Sequence, residues 1–173
     1  MFKTEEKLVN ALTHTVYYHS PIGAILLEAE DEQLIVVSFR DDITINETGT
    51  TTSAALQTTI KQLDEYFAGA RKQFDLSLNP QGTAFQQKVW DQLIKIPYSE
   101  TVTYLHMAKR LGNVKSIRAA ASANGKNPIG IIIPCHRVVG ADGKLTGYAG
   151  GLHRKQWLLD HEAKMAGKQS SLF

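Results

Sequence analysis

The first forty residues contain three short segments that are typical of β-strands. They are rich in Val, Ile, Leu and Tyr, and they lie at residues 14–19, 22–30 and 33–39. Dipeptides that favour turns separate the segments, at Ser20-Pro21 and Asp31-Glu32. The pattern predicts a strand-rich N-terminal region.

A helix and one further strand are predicted before the middle of the chain. A polar, Thr-rich segment at residues 41–53 predicts a loop. Apolar side chains then recur at helical spacing, at Leu56, Ile60, Leu63 and Phe67. Gly69 ends this helix, and residues 73–78 alternate as a last strand. The turn-forming residues 79–82 mark a boundary, so we expect one domain over residues 1–80.

The next part of the chain shows the spacing of three helices. The first is predicted from a capping box at residues 83–86 to the stop at Pro97, the second over residues 103–112 and the third over residues 116–123. Two helices joined by a short Gly-containing turn are typical of a helix-turn-helix. The third helix carries mostly alanine around Arg118, which suits either tight packing inside the protein or close approach to a phosphate-bearing partner.

Composition indicates a globular protein whose charge is uneven along its length. The chain has 173 residues, of which 43% are hydrophobic. Residues 1–99 carry 8 Lys/Arg and 13 Asp/Glu, net −5, whereas residues 100–173 carry 11 Lys/Arg and 4 Asp/Glu, net +7. A basic second half suits a nucleic-acid partner, although two solvated surfaces of opposite sign would give the same count. No membrane-spanning stretch or secretory signal is present in the sequence, so we expect a cytoplasmic protein.

The most informative segment is an apolar run that leads into Pro134-Cys135-His136-Arg137. The run predicts a buried strand with a thiol at its end, beside an imidazole that can lower the pKa of the thiol. A carboxylate should orient the imidazole. The candidate is Glu162, on a helix predicted over residues 152–166, and Asp160 is the alternative. A single cysteine excludes an intramolecular disulfide and a cysteine-based zinc cluster.

The residue pattern alone leaves several functions open. A Cys-His pair can arise by coincidence, and a thiol hydrolase that uses Cys135, His136 and Glu162 is consistent with the spacing. A noncatalytic DNA-binding module, either a regulator or a damage sensor, would also use the helix-turn-helix.

The segment Pro134–Val138 resembles the active-site signature of the methylated-DNA–protein-cysteine S-methyltransferases, also called O6-alkylguanine-DNA alkyltransferases. Further blocks resemble the family in order and spacing, at residues 82–86, 96–98, 103–104, 118–119, 124–128 and 146–151. The resemblance covers residues 82–166. It implies an α+β fold, with an N-terminal ribonuclease-H-like domain of strands and a helix and, over residues 81–166, a mostly helical DNA-binding domain with a helix-turn-helix. The residues after this domain, 167–173, are expected to form a flexible tail.

The resemblance also implies a role for each matching residue. Cys135 would accept the alkyl group in a single, irreversible displacement, with His136 as base through a water and Glu162 holding His136. Tyr104 would protonate the departing guanine, and Asn127 would help fix the site. The remaining implied roles concern DNA and the damaged base, and Arg118 would fill the space that the base leaves in the stack. Contacts with the DNA would come from Ala119, Lys115 and Arg137. The damaged base would be held by Tyr148, Val138 and Ala149.

The family resemblance carries further expectations about partners. The protein would act as a monomer and would bind double-stranded DNA from the minor groove, without sequence specificity. Its substrates would be O6-alkylguanine and O4-alkylthymine. It would need no cofactor or metal. The tail residues Gln169, Leu172 and Phe173 resemble the short peptide by which bacterial repair proteins dock on the DNA sliding clamp.

Overall fold

A computed structural model describes residues 11–169 of the chain. The N-terminal part begins with an antiparallel meander of three strands, β1 (Thr13–Ser20), β2 (Gly23–Glu30) and β3 (Gln33–Arg40). The helix α1 (Ala54–Phe67) packs against this sheet, and the Ser53 side chain accepts a hydrogen bond from the Leu56 amide at its start. The three strands and this helix agree with the hydrophobic pattern.

The C-terminal part is mostly helical. Its elements are α2 (Ala84–Ile94), β4 (Val102–Thr103), α3 (Tyr104–Arg110), α4 (Ile117–Gly125), β5 (Val138–Val139) and α5 (Leu152–Met165). Both hydrogen bonds of the predicted capping box, between Thr83 and Gln86, are present at the start of α2. The helices α3 and α4 form the expected helix-turn-helix around Gly112, whose φ of 83° suits a residue without a side chain.

The predicted strand at residues 73–78 is wrong. In this segment only Leu78 forms a bridge, to Leu34 at the edge of the sheet. The Gln62 side chain bonds both the backbone nitrogen and the carbonyl oxygen of Asp75, each at 2.9 Å. These side-chain hydrogen bonds satisfy backbone groups that a strand ladder would otherwise use.

The apolar run before Cys135 is also not a strand. Ile129 bridges Val37, with hydrogen bonds of 2.9 Å from the Val37 amide to the Pro128 carbonyl and from the Gly130 amide to the Val37 carbonyl. The chain then turns sharply at Ile131, whose φ of 69° is rare for a β-branched residue. The run is therefore a tight, buried turn that caps the edge of β3 and delivers Cys135 to the interior.

One continuous apolar core joins the two parts of the chain. It includes Leu27 of the sheet, Leu63 of α1, Trp90 of α2 and Leu158 of α5, each at most 1% exposed. No helix within residues 11–169 combines the length and the apolar character that a bilayer crossing needs.

Trp90 connects α2 to the end of α4, because its indole nitrogen donates a 2.9 Å hydrogen bond to the Ala123 carbonyl. We expect Trp90→Phe to lower the free energy of unfolding by about 2 kcal/mol, through a small cavity and the loss of a buried hydrogen bond. Urea denaturation followed by the fluorescence of Trp157 measures this. The control Phe85→Leu, at a 36% exposed position of the same helix, should change stability by less than about 0.5 kcal/mol. Equal effects of both substitutions would contradict the role of Trp90.

Candidate active site

Cys135 begins a 3-10 turn, Cys135–Arg137, that leads directly into β5. The parallel pairing of β5 with β4 joins Val138 to Val102, and it therefore brings the turn close to Tyr104 at the start of α3. Cys135 is only 5% exposed. The sequence places a thiol inside the protein, at the base of the helix-turn-helix.

The carboxylate of Glu162 is the centre of a buried hydrogen-bond network. The Oε1 atom accepts from His136 Nε2 at 2.7 Å, from the Tyr66 hydroxyl at 2.8 Å and from Arg137 Nη2 at 3.0 Å. The Oε2 atom accepts from Arg137 Nε at 2.9 Å and from the Ser99 amide at 3.1 Å. Glu162 and His136 are both fully buried. The structure thus brings Glu162, and not Asp160, onto the imidazole.

The charges of this network set its protonation. Burial alone would raise the pKa of Glu162, but the charges and hydrogen bonds of His136 and Arg137 outweigh burial and hold that pKa far below its usual range. Burial lowers the pKa of His136, and the opposing effect of Glu162 is smaller. At neutral pH the pair is therefore a carboxylate with a neutral imidazole, and the hydrogen bond from His136 together with the charge and hydrogen bonds of Arg137 keeps Glu162 ionised.

The contact with Glu162 also fixes the tautomer of His136. Because Nε2 faces a carboxylate, it carries the proton, and Nδ1 is left with its lone pair. Nδ1 is buried and has no hydrogen-bond partner among residues 11–169. The imidazole can accept a proton at this atom.

Lys155, another fully buried residue of α5, lies near the thiol. Its Nζ atom donates to the carbonyls of Val138 at 2.6 Å, Thr146 at 3.2 Å and Gly147 at 3.3 Å. Burial lowers the pKa of Lys155 to about 8, so the side chain remains mostly cationic at neutral pH. This ammonium group holds β5, which follows the Cys135 turn, to the loop at residues 146–147.

Burial raises the pKa of the Cys135 thiol, while a hydrogen bond from the Asn127 side chain and the charge of Lys155 oppose the rise. Asn127 also donates to the Ile133 carbonyl at 2.8 Å and accepts from the Ile129 amide at 3.0 Å. It therefore braces the turn that leads into Cys135. The site therefore favours the protonated thiol, which loses its proton only to a nearby base.

A cavity of about 450 Å³ lies between α4 and the loop at residues 146–148. Its lining is mainly apolar and consists of Tyr104, Ile117, Arg118, Ala121, Asn124, Gly125, Thr146, Gly147 and Tyr148. Asn124 lines this cavity and also contacts the residue that carries the thiol, because its Nδ2 atom lies 3.4 Å from the Cys135 carbonyl oxygen. The size suits a small organic group of the dimensions of a base.

The other residues expected at the site fall into two groups. Arg118, Ala119 and Lys115 are exposed on α4 and the turn before it, and Ala149 is exposed on the loop. By contrast, Val138 is fully buried. Its carbonyl oxygen accepts from Lys155. The exposed group is available to a partner, whereas the Val138 carbonyl is already engaged within the protein.

The expectation that Arg137 contacts DNA is not supported by its position. The side chain is buried, with the guanidinium on Glu162 and its Nη1 atom 2.7 Å from the Ile96 carbonyl oxygen. A cation in this place balances the charge of Glu162 and is not free to meet phosphate.

Sequence reasoning missed Tyr66, Ser99 and Lys155. A signal for Lys155 exists in the pattern, since it shares the spacing of Leu158, Leu159 and Glu162 on one face of α5 and all four are buried. Tyr66 has the same spacing as core residues of α1, so nothing separates it from them before the fold is known. Ser99 contributes only its backbone amide.

We expect Lys155→Met to raise the pKa of Cys135, because the substitution removes the positive charge that lowers this pKa while keeping an apolar stem. The ultraviolet absorbance of the thiolate, titrated against pH as the difference from a Cys135→Ser variant so that the absorbance of the six tyrosines cancels, measures this in a chain with one cysteine. The matched control is Lys144→Met, in the loop between β5 and α5, where an exposed Lys144 pairs with Asp142 at 3.1 Å. Identical titrations for Lys155→Met and the wild type would refute the electrostatic role of Lys155.

Two family models match most of the chain. The model for the ribonuclease-like domain of 6-O-methylguanine DNA methyltransferase matches residues 13–80, and the model for the DNA-binding domain of the same family matches residues 84–164. These matches confirm the fold class expected from the sequence.

Individual relatives agree with the family models. A methylated-DNA–protein-cysteine methyltransferase of Methanosarcina acetivorans is 48% identical and covers 84% of this chain and 95% of its own length. The crystal structure of Mycobacterium tuberculosis O6-methylguanine methyltransferase superposes with a TM-score of 0.80 at 40% identity, over 89% of this chain and 94% of that one. The M. tuberculosis OGT solved in complex with DNA gives a TM-score of 0.78 at 41% identity, over 86% and 92% of the two chains. The chain therefore belongs to the 6-O-methylguanine DNA methyltransferase family.

Proposed function

We propose that the protein repairs DNA by moving the alkyl group of O6-alkylguanine, and of O4-alkylthymine, to its own Cys135. The observation that carries the proposal is the placement of the thiol. Cys135 precedes a neutral imidazole held by Glu162, and its carbonyl oxygen accepts a hydrogen bond from Asn124, which lines a base-sized cavity under the helix-turn-helix. Relatives that carry the name methylated-DNA–protein-cysteine methyltransferase support the same reaction.

In the proposed step, the sulfur of Cys135 forms a bond to the alkyl carbon while the bond between that carbon and O6 breaks. The thiol proton passes through a water to Nδ1 of His136, and Glu162 stabilises the imidazolium that forms. The hydroxyl of Tyr104 protonates the departing guanine. Burial raises the pKa of Tyr104, so this hydroxyl holds its proton until the leaving group develops charge.

The transfer ends with a thioether on Cys135. A thioether is not readily hydrolysed, so each molecule acts once. A hydrolase that uses the same three side chains would instead turn over, and it would have no use for Arg118 on the alanine-rich helix α4.

Access to a base in duplex DNA requires that the nucleotide leave the stack, at a cost of a few kcal/mol. Arg118 lies on α4 and lines the cavity, so its side chain can fill the space that the base vacates. Ala119 on the same helix keeps the surface low enough for close approach in the minor groove. Lys115 supplies sequence-independent affinity for phosphate. The relative solved in complex with DNA supports DNA as the partner.

Two further parts of the proposal concern the whole molecule. Thiol, base, carboxylate and cavity all come from one chain, so the protein acts as a monomer, and we place it in the cytoplasm with its DNA. The tail would dock on a sliding clamp through Gln169, which is exposed, and through Leu172 and Phe173, which lie outside the described residues.

Incubation with a short duplex that contains one O6-methylguanine should add one methyl group, about 14 Da, to the intact protein, since the proposed step replaces S–H by S–CH3. Mass spectrometry measures the gain, and a duplex with O4-methylthymine tests the second substrate. Cys135→Ser should show no gain. Arg118→Ala should slow transfer from the duplex but not from the free O6-methylguanine base, which needs no flipping.

Other results would select another function. Tight binding to the damaged duplex without a mass gain would contradict transfer and identify a damage sensor. Absence of any binding to DNA would contradict the DNA-repair proposal and favour a thiol hydrolase.

Docking on the clamp predicts that the full chain is retained on an immobilised bacterial sliding clamp, because Leu172 and Phe173 would insert into its peptide groove. Deletion of these two residues should abolish retention. The control removes the side chains of Ser170 and Ser171 by substitution with alanine and should leave retention unchanged. Equal retention of the truncated and the full chain would refute clamp docking.

A further inference from the structure

The last turn of α1 reaches across the molecule to the carboxylate of the site. Tyr66 is fully buried, and its hydroxyl donates to Glu162 Oε1 at 2.8 Å. Its backbone carbonyl accepts from His161 Nε2 at 2.8 Å. One residue of the N-terminal part thus holds two consecutive residues of α5, although 96 positions separate Tyr66 from Glu162.

The position of the Tyr66 ring is fixed from several sides. The ring of His161 meets it edge-on, with 5.4 Å between centroids, and the ring of Tyr98 does so at 6.2 Å. Burial raises the pKa of Tyr66 well above its usual value, and the charge of Glu162 adds to this effect. The hydroxyl is therefore a neutral donor of fixed direction at every pH at which the protein is folded.

Glu162 Oε1 divides its negative charge among three donors, which come from His136, Arg137 and Tyr66. Each donor lowers the share of charge that the other two receive. The Tyr66 hydroxyl therefore affects both the direction of the carboxylate and the basicity of the imidazole that hydrogen-bonds the same oxygen.

We infer that Tyr66 is a positioning residue of the alkyl-transfer site, through which the N-terminal domain orients Glu162 and tunes the basicity of His136. The inference rests on the proposed function. It also gives the N-terminal domain a purpose that none of the sequence motifs indicates.

Several elements place charged or titratable groups around His136 and Glu162. These groups are Tyr66 on α1, Tyr98 before β4, Cys135 and Arg137 in the 3-10 turn, Tyr148 in the loop before α5, and Lys155 on α5. Tyr66→Phe changes only one of them, and it keeps the ring. Because Oε1 loses a donor, the carboxylate becomes more basic towards the imidazole, and the pKa of His136 rises.

The test compares single-turnover rates of Tyr66→Phe and wild type on the O6-methylguanine duplex across pH. We expect the maximal rate to fall about fivefold, because the carboxylate loses a fixed orientation. The reactive form has a neutral His136, so the acid limb of the profile follows the pKa of His136 and should move about half a pH unit upward.

Tyr18→Phe is the matched control. Tyr18 is buried like Tyr66, and its hydroxyl likewise donates to a carboxylate. The acceptor is Asp64 of α1, at 2.7 Å, and not Glu162. Its transfer rate and pH profile should equal those of the wild type.

Two results would overturn the inference. One is a wild-type rate and profile in Tyr66→Phe. The other is a slower rate with an unmoved acid limb, which loosened packing alone would produce. If Tyr66→Phe does not fold, NMR of the wild type decides the question. The Tyr66 hydroxyl proton and the His136 Nε2 proton both point at Oε1 and should show a cross-peak, and its absence would overturn the inference. Lack of transfer by the wild type and Tyr18→Phe alike would instead refute the proposed function.

Discussion

A carboxylate removed from water loses several kcal/mol of solvation unless donors replace the water around both of its oxygens. Glu162 is fully buried, and donors from three parts of the chain surround it, the end of α1, the loop at Ser99 and the 3-10 turn after Cys135. Arg137 balances its charge, and His136 receives its orientation from it. Removal of Arg137 would leave a buried charge without compensation, and removal of any other donor would leave one carboxylate oxygen with a hydrogen bond fewer, so the segments that supply them are expected to fold together. The rest of the site depends on this arrangement.

The two parts of the chain are joined where the site needs support. The segment before Cys135 continues the edge of the N-terminal sheet through Val37. Beside it, Arg154 of α5 binds Asp41 with distances of 2.6 and 3.1 Å and lies over the ring of Phe39, 4.5 Å from its centroid. These contacts position α5, which carries both Lys155 and Glu162. The N-terminal part is thus a support for the chemistry of the C-terminal part, although none of its described residues, 11–80, lines the cavity under α4.

Sequence reasoning reached the parts of the site that are local or that share a helix face. The Cys135-His136 pair is contiguous, and Glu162 follows from the need for a carboxylate on the last helix. Arg137 was misassigned because adjacency to the thiol carries no information about which way the side chain points. The turn at Ile131 was also missed, since an apolar run predicts burial but cannot reveal a single residue of positive φ. Tyr66 reaches the site only through long-range packing of α1 against α5, and helix periodicity describes it as core.

The central claim is that Glu162 holds His136 as a neutral imidazole with its proton on Nε2 and its lone pair on Nδ1. The side-chain nitrogen shifts of His136, measured by NMR on uniformly labelled protein and assigned with a His136→Asn variant among the six histidines, test it most directly. The account predicts a protonated Nε2 and an unprotonated Nδ1 at neutral pH. A proton on Nδ1, or an imidazolium at neutral pH, would contradict it, because Nδ1 would then have no free electron pair with which to accept a proton.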